Sequence, residues 1–338
     1  MMHIRMKIIR RMMTKVFIGI IVVTGMIVVT AVLHICAVQN GKVENPQFTD
    51  GDLKMIMIDV GQGDSFLFLQ DDKAMLVDAG PIFNAFAARK VLEDYNVKKL
   101  DYIVLTHYHQ DHAAGLFSIL FSTRVDKLYV TDMSTGHQDF MDYFFYRLVY
   151  DYMNFVDSLT SRDIVTLAKE NGKFKDFTFS RSSVHFLSPI KNTYDIINNY
   201  SLCFKMTYGK IDFLMTGDIQ SEVEEELLKS GENLSCEIYK AAHHGSNTSN
   251  TESFIDRINP KFVLISSSNG KHNMFGHPTQ RFVNFLKGRG IKVLRTDEGG
   301  TISLYTNGKK IFYYPLQLGD YKSGKEVIKY NSNIDEAK

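Results

Sequence analysis

Short apolar runs punctuated by glycine and aspartate recur at the front of the folded region. Lys54–Asp59, Ser65–Leu69 and Ala74–Asp78 read as strands, with Gly61, Gly63 and Gly80 where a meander must turn. Ile82–Tyr95 sets Phe83, Phe86, Ala87, Val91 and Leu92 at three-to-four spacing, which predicts an amphipathic helix. A strand over 101–105, a polar loop, a short helix and a strand over Lys127–Thr131 come next. Asp139–Asn171 reads as an aromatic-rich helix with Phe140, Phe144, Leu148, Tyr152 and Phe155 in one stripe. That stripe is expected to pack on the core. The alternative is a substrate-facing cap or a flap leaning on a membrane.

The second half resumes with strands over Val184–Leu187, Leu202–Tyr208 and Ile211–Met215, then a helix over Gln220–Lys229. Glu222, Glu224, Glu225 and Glu226 crowd its start, where the helix dipole favours carboxylates, and read as a solvated helix end. Strand and helix alternate onward to Lys310–Tyr314. The order fits an α/β domain of two layered mixed sheets with helices outside. One such domain is expected over 54–318, after a linker at 39–53 and before a polar tail at 319–338.

The N-terminus is of another kind. Arg5, Lys7, Arg10, Arg11 and Lys15 form a basic segment, 1–15, ahead of an uncharged apolar run, 16–38. A hydrocarbon core needs about 20 apolar residues, so the run is long enough to be one transmembrane helix. An uncleaved anchor is expected, with the basic side cytoplasmic and the domain outside the cell membrane. A cleaved signal, and hence secretion, is the alternative. Without those five cations the chain keeps 34 basic and 38 acidic residues, a net charge of −4. An avid binder of nucleic acid usually presents a basic face. Lys205, Lys210, Lys240 and Lys271 are the candidates for a local patch. Cys203 and Cys236 are expected to be buried free thiols, with a bridge between them as the alternative.

The chemistry concentrates in histidine. Residues 107–112 read His-Tyr-His-Gln-Asp-His directly after an apolar strand, and Ala113-Ala114-Gly115 behind them lets the backbone turn closely. His243-His244, and His272 with His277, also follow strand-like runs, and Ile211–Met215 ends in Thr216-Gly217-Asp218. Strands that deposit imidazoles and carboxylates at comparable ends build a metal centre along one sheet edge.

These residues carry a resemblance. Asp59-Val-Gly-Gln-Gly-Asp64, Val77-Asp-Ala-Gly80, the 107–112 cluster, Asn198-Asn-Tyr-Ser201, Thr216-Gly-Asp218, Lys240-Ala-Ala-His-His-Gly-Ser246 and Asn273-Met-Phe-Gly-His-Pro278 resemble the metallo-β-lactamase superfamily. Within it they are similar to the hydrolase domain at the end of ComEC-type DNA-uptake proteins, over roughly Lys54 to Tyr314. The resemblance implies an αββα sandwich and a two-metal hydrolase, zinc first and manganese as the alternative, whose ions share a hydroxide. It implies that His107, His109 and the 243/244 pair hold one ion, that Asp111 and His112 hold the other, and that Asp218 bridges them. His243 is favoured as ligand, with His244 in support or touching substrate. Asn199 or Ser201 would stand where many members carry a further histidine. Asp78 would orient a ligand, Asp64 would cap its turn, and Lys240, Ser246, Asn273 and His277 would lie near the substrate. The implied substrate is a phosphodiester, with DNA the favoured case. A choline-phosphate ester, a lactam, or a non-catalytic module binding DNA or a partner are the alternatives.

Overall fold

The computed structural model describes residues 51–133, 140–160, 164–269 and 273–316. The anchor expected at 16–38, the tail at 319–338, Lys271 and His272 lie outside the described residues. Among the described residues, no helix is long and apolar enough to cross a membrane.

The first sheet contains β1 (Leu53–Met57), β2 (Phe66–Gln70), β3 (Lys73–Val77), β4 (Tyr102–Val104), β5 (Leu128–Val130) and β6 (Val165–Leu167). The second is β7 (Phe177–Phe179), β8 (Ser182–Phe186), β9 (Phe204–Tyr208), β10 (Ile211–Met215), β11 (Ile238–Lys240), β12 (Phe262–Ile265) and β13 (Lys292–Arg295), in that spatial order. The chain then returns to the first sheet with β14 (Thr301–Thr306) and β15 (Ile311–Leu316), giving the order β15-β14-β1-β2-β3-β4-β5-β6. Both sheets are mixed. β3 to β6 run parallel to their neighbours, as do β10 to β13, and the remaining pairs in each sheet are antiparallel.

Period-two alternation divides the strand side chains between two cores. Met55, Met57, Phe68 and Val77 from the first sheet meet Phe186, Met206, Phe213 and Leu264 from the second in the layer between the sheets. Ile56, Leu76 and Ile103 point the other way, toward Ala88, Val91 and Leu92 of α1 (Ala85–Asp94). On the far side Leu214, Val263 and Ile265 share a core with Val223 and Leu227 of the helix Ser221–Lys229 and with Phe282 and Leu286 of Gln280–Gly288. The expected αββα sandwich is what forms. Cys203 and Cys236 are buried and free.

Four expectations fail for physical reasons. The aromatic helix ends at Thr160, and Val165–Leu167 is β6 instead, a β-branched stretch that suits a pleated edge. Its core face is Tyr146, Val149 and Met153, because the Tyr146 ring meets buried Tyr108 edge to face at 4.7 Å. Phe144, Leu148 and Phe155 lie on the solvent side, each at least 45% exposed. In α1 and the turn before it, Phe83 and Phe86 are likewise exposed while Ala88 and Val91 pack. Glu224 is not solvated. It is fully buried and accepts the backbone N–H groups of Asn250 and Thr251.

Candidate metal centre

β3, β4, β10, β11 and β12 all end on one rim of the sandwich, and the loops beyond them carry the site. After β4 the chain leaves the sheet at Thr106, passes His107 and His109, and enters a one-turn helix, α2 (Gln110–Ala113), that brings Asp111 and His112 inward. Beyond β10 comes Asp218, and beyond β11 come His243 and His244. Asp111, His112, Asp218 and His244 form a group whose ligand atoms all lie within 4.8 Å of one another. His112 Nε2 is 3.3 Å from Asp218 Oδ2, and His244 Nε2 is 3.4 Å from both Asp111 Oδ2 and Asp218 Oδ2. A fourth edge, His112 Nε2 to Asp111 Oδ2, is 4.0 Å. Donors about 2.0–2.1 Å from a zinc-sized ion at the corners of a tetrahedron are ~3.3–3.4 Å apart, so three of these edges have the length such a cage needs. His112 Nε2, His244 Nε2 and Asp218 Oδ1 are buried without a hydrogen-bond partner, which suits atoms whose partner is a cation.

The surroundings aim these donors. Asp78 accepts from the Thr106 N–H at 2.8 Å, the Thr106 hydroxyl at 2.7 Å and His112 Nδ1 at 2.7 Å. His244 Nδ1 donates to the Ser266 carbonyl at 3.0 Å. In both rings the proton is held on Nδ1, leaving the Nε2 lone pair for the centre. Because the Thr106 hydroxyl donates to Asp78, it accepts from His107 Nδ1 at 3.2 Å, and His107 Nε2 is freed toward His109 Nδ1, 3.0 Å away. Underneath, the buried pair Asp64–Lys240 closes at 2.7 Å. The Asp64 backbone N–H donates to the Asp111 carbonyl at 3.2 Å. Gly63 makes this approach possible: it has φ +135°, and a Cβ there would fall 2.2 Å from that carbonyl oxygen.

Charge follows the geometry. Burial pushes the Asp218 and Asp111 carboxyls up, but the His244 and His112 imidazoles outweigh it and hold both below the usual carboxylate range. Burial would lower His112 and His244, yet Asp218 and its neighbouring carboxylates raise both well above an ordinary histidine. A centre that draws protons this strongly would draw a divalent cation by the same field.

A family model for the metallo-beta-lactamase superfamily matches residues 58–268. The chain belongs to that superfamily. Among curated relatives it is 29% identical over 297 residues to ComE operon protein 3 of Bacillus subtilis, covering 78% of this chain and 35% of that one. It is 30% identical over 248 residues to competence protein ComA of Neisseria gonorrhoeae, covering 72% and 31%. The chain therefore spans about a third of the length of these relatives. Among solved structures, the metallo-beta-lactamase fold protein YhfI of Bacillus subtilis aligns at 15% identity and a TM-score of 0.46, covering 74% of this chain and 99% of that one. Membership and the donor set together make the protein a metal-dependent hydrolase.

Against the superfamily pattern, several residues sit elsewhere than the sequence suggested. His244, not His243, reaches the carboxylates, and it joins Asp111 and His112 rather than His107 and His109. The cause is the backbone: His243 and His244 adopt φ +49° and +54°, a left-handed turn that sends the two rings apart. His243 faces Thr248 Oγ1 at 3.0 Å and Asn198 Nδ2 at 3.4 Å. Asn199 is engaged at both ends, donating to Glu222 and accepting from the Gln220 N–H. The Ser201 hydroxyl accepts the Asp218 N–H at 3.0 Å, so it positions Asp218. Ser246 accepts the Thr248 N–H within its own turn. Lys240 is 1% exposed in its pair with Asp64, and Lys205 is tied to Asp212 at 2.8 Å, so neither offers a phosphate an open lysine.

Asn273 and His277 do stand together. The Asn273 side-chain Oδ1 accepts the His277 N–H at 3.0 Å, and the His277 ring centre is 5.2 Å from that of His243. His277 Nδ1 is buried and unpartnered. Burial, with His243 and His244 nearby, lowers the His277 pKa to about 4. Sequence reasoning passed over Asn198, whose amide oxygen is buried without a partner, and Thr106 and Ser266, which set the tautomers. Asn198 lies in the Asn198-Asn-Tyr-Ser201 motif, directly before Asn199. For the other two, only position after a strand end was available as a signal.

Proposed function

We propose that this hydrolase cleaves phosphodiester bonds, with nucleic acid as its substrate, outside a cell membrane to which residues 16–38 anchor it. The observation that carries the reading is the four-donor cage of Asp111, His112, Asp218 and His244, with two further imidazoles, His107 and His109, on the same loop. The Asp111 side chain is 30% exposed, so the cage opens to solvent on that side while its floor is sealed. The competence proteins among its relatives point to DNA as the polymer.

A divalent ion in this cage would acidify water and neutralise charge on the substrate oxygens. The chain does the rest. Asp78 and the Ser266 carbonyl hold the two Nε2 atoms inward, and the Ser201 hydroxyl fixes the loop that carries Asp218. His277, neutral at pH 7 with a pKa near 4, can steer a leaving oxygen through an N–H but brings no imidazolium proton. His243 stands beside it as a second contact.

The test is hydrolysis of bis(p-nitrophenyl) phosphate and of labelled single- and double-stranded DNA by the full chain with zinc or manganese, and with Asp111→Ala as control. Metal-dependent cleavage lost in the variant supports the reading. Metal binding with no turnover of either substrate overturns the phosphodiester assignment and leaves carboxylic esters or lactams as the bonds to try.

A further inference from the structure

We propose that Phe275 is a stacking platform for an unpaired nucleobase beside the metal centre, so that the polymer is gripped there as a single strand. This rests on the nucleic-acid reading above and adds to it the means by which the strand is held.

The turn that carries the ring keeps it in solvent. Met274 and Phe275 are consecutive and 83% and 64% exposed, although folding ordinarily removes such side chains from water. Asn273 spans the turn: its Oδ1 accepts the His277 N–H at 3.0 Å, and its Nδ2 donates to the His277 carbonyl at 2.5 Å. The same carbonyl accepts the Ser267 hydroxyl at 2.6 Å, and Gly276 reverses the chain at φ +67°. A tip pinned by these bonds loses little conformational freedom when a ligand settles on it.

The tip is also continuous with the site. Phe275 and His277 form an offset stack, with ring centres 6.1 Å and planes 27° apart. His277 meets His243 edge to face at 5.2 Å, and the His243 ring centre is 6.2 Å from that of His244 in the cage. Aromatic surface thus runs from solvent to a metal ligand in ring-to-ring steps. With one side of Phe275 turned to His277, its exposed area is open to one more ring. His277 Nδ1 and Asn198 Oδ1 are buried beside this stack without a partner, so the same wall keeps polar capacity for the edge of a nucleotide.

Stacking suits this chain better than charge as a grip. Phosphate neutralisation is the usual source of affinity for nucleic acid, but Lys205 and Lys240 are committed to Asp212 and Asp64. Beyond its first 15 residues the chain carries a net charge of −4. An aromatic side chain under a base contributes about 5- to 150-fold in affinity without any cation, and it tolerates every sequence because each base has a π-face. In a duplex both faces of a base are covered by its neighbours. Only a base that has left the stack can use the ring.

The experiment measures binding of a short labelled oligothymidylate with cleavage-resistant phosphorothioate linkages to the full chain in manganese, by fluorescence anisotropy. It is repeated with one base removed at each position in turn, and with the duplex of the same strand. In the wild type, removing the base at one position should weaken binding by about 5- to 150-fold, and the duplex should bind more weakly than the single strand. In Phe275→Ala the intact strand should bind as weakly as that abasic one. Phe275→Tyr should keep the wild-type pattern, and Phe275→Leu, which retains bulk without a π-face, should lose it, with thermal melts confirming that each variant folds. Wild-type affinity for the single strand in Phe275→Ala, a base preference retained by Phe275→Leu, or a duplex bound as tightly as the single strand would overturn the proposal. A wild type that turns over bis(p-nitrophenyl) phosphate yet binds no oligonucleotide would instead sink the nucleic-acid reading beneath it.

Discussion

Replacing Asp78 by asparagine changes almost no volume and should nevertheless empty the cage. Asp78 is fully buried and accepts three hydrogen bonds, two from Thr106 and one from His112 Nδ1. Burial raises its carboxyl despite the opposing His112 imidazole, but the surrounding carboxylates raise His112 well above an ordinary histidine, so the proton of the pair stays on the ring. In Asp78→Asn the amide oxygen can still accept the Thr106 N–H. The amide nitrogen then occupies the place of Oδ2, 2.7 Å from His112 Nδ1, and it can only donate there. His112 would have to accept on Nδ1 and carry its proton on Nε2, the atom that faces Asp218 at 3.3 Å. A protonated Nε2 cannot ligate. The ring must therefore either give up the Asp78 bond, a charge-assisted one worth about 1.5–3 kcal/mol, or withhold a donor. Either way ion affinity should fall by about 10–100-fold, the range for losing a carboxylate behind a metal-bound histidine. Competition titration of manganese against a chromophoric chelator measures it, with the thermal melt of the apo form as the folding control. An Asp78→Asn affinity within about threefold of wild type, which is under 1 kcal/mol, would refute the tautomer argument.

The adjacent histidines should separate in the same titration: His244→Ala loses the cage ion, whereas His243→Ala keeps it within about threefold and changes turnover instead. Gly63→Ala places a Cβ against the Asp111 carbonyl at φ +135° and should destabilise the fold by about 1–3 kcal/mol in urea melts while weakening ion binding; a neutral result would show that the loop yields freely. On the aromatic helix, Met153→Ala should cost about 2–5 kcal/mol and Phe155→Ser less than about 0.5, and the reverse order would restore the face read from sequence. Lys54, with its ammonium 4.9 Å from the Tyr95 ring centre, has its pKa lowered by burial from 10.5 to about 8. The folded state thus penalises its charged form below pH 8, and the penalty lifts as pH rises from 8 toward 10.5, where the unfolded chain still binds the proton. Lys54→Met should therefore be more stable by about 1–2 kcal/mol at pH 7, after allowing for partial exposure and the lost ring contact, with the gap closing above pH 9.

Strand positions were legible because period-two burial leaves its mark in sequence: Ile211–Met215 is β10 to the residue, and β1, β2 and β3 fall within a residue or two of their predicted ends. Helical faces were less so. Phe144, Leu148 and Phe155 share one spacing and Tyr146, Val149 and Met153 share another, both apolar, and nothing in one turn of helix says which will meet Tyr108. That choice is made by a residue almost forty positions upstream. Glu224 fails for a similar reason, since the N–H groups of Asn250 and Thr251 that justify its burial come from the loop beyond β11. Pattern reports what a segment can bury, and the partner decides what it does bury.

The metal centre shows the same division in sharper form. The 107–112 cluster and Asp218 were recognisable because their spacing lies within one loop or directly after one strand. His243 and His244 were not separable, since adjacent imidazoles are chemically identical until the backbone assigns them directions. Two successive left-handed residues make that assignment, each at about 1–2 kcal/mol for a side chain with a Cβ. The surroundings compensate: the Ala242 N–H bonds the Tyr239 hydroxyl, Asn250 Nδ2 bonds the Ala242 carbonyl, and the His243 N–H bonds the Gly217 carbonyl. The last of these bonds ties the turn to the loop that carries Asp218. The strain therefore registers His244 Nε2 against Asp218 Oδ2 at 3.4 Å, so loosening the turn should widen the cage before it unfolds the domain. Tyr239→Phe removes the first of these bonds together with the Tyr239 hydroxyl's own bond to Asn250 Oδ1 at 2.8 Å, and leaves every ligand in place. It should weaken ion binding in the cage by several-fold, with the apo melting midpoint as the folding control, and an unchanged affinity would mean that the turn holds its shape without them.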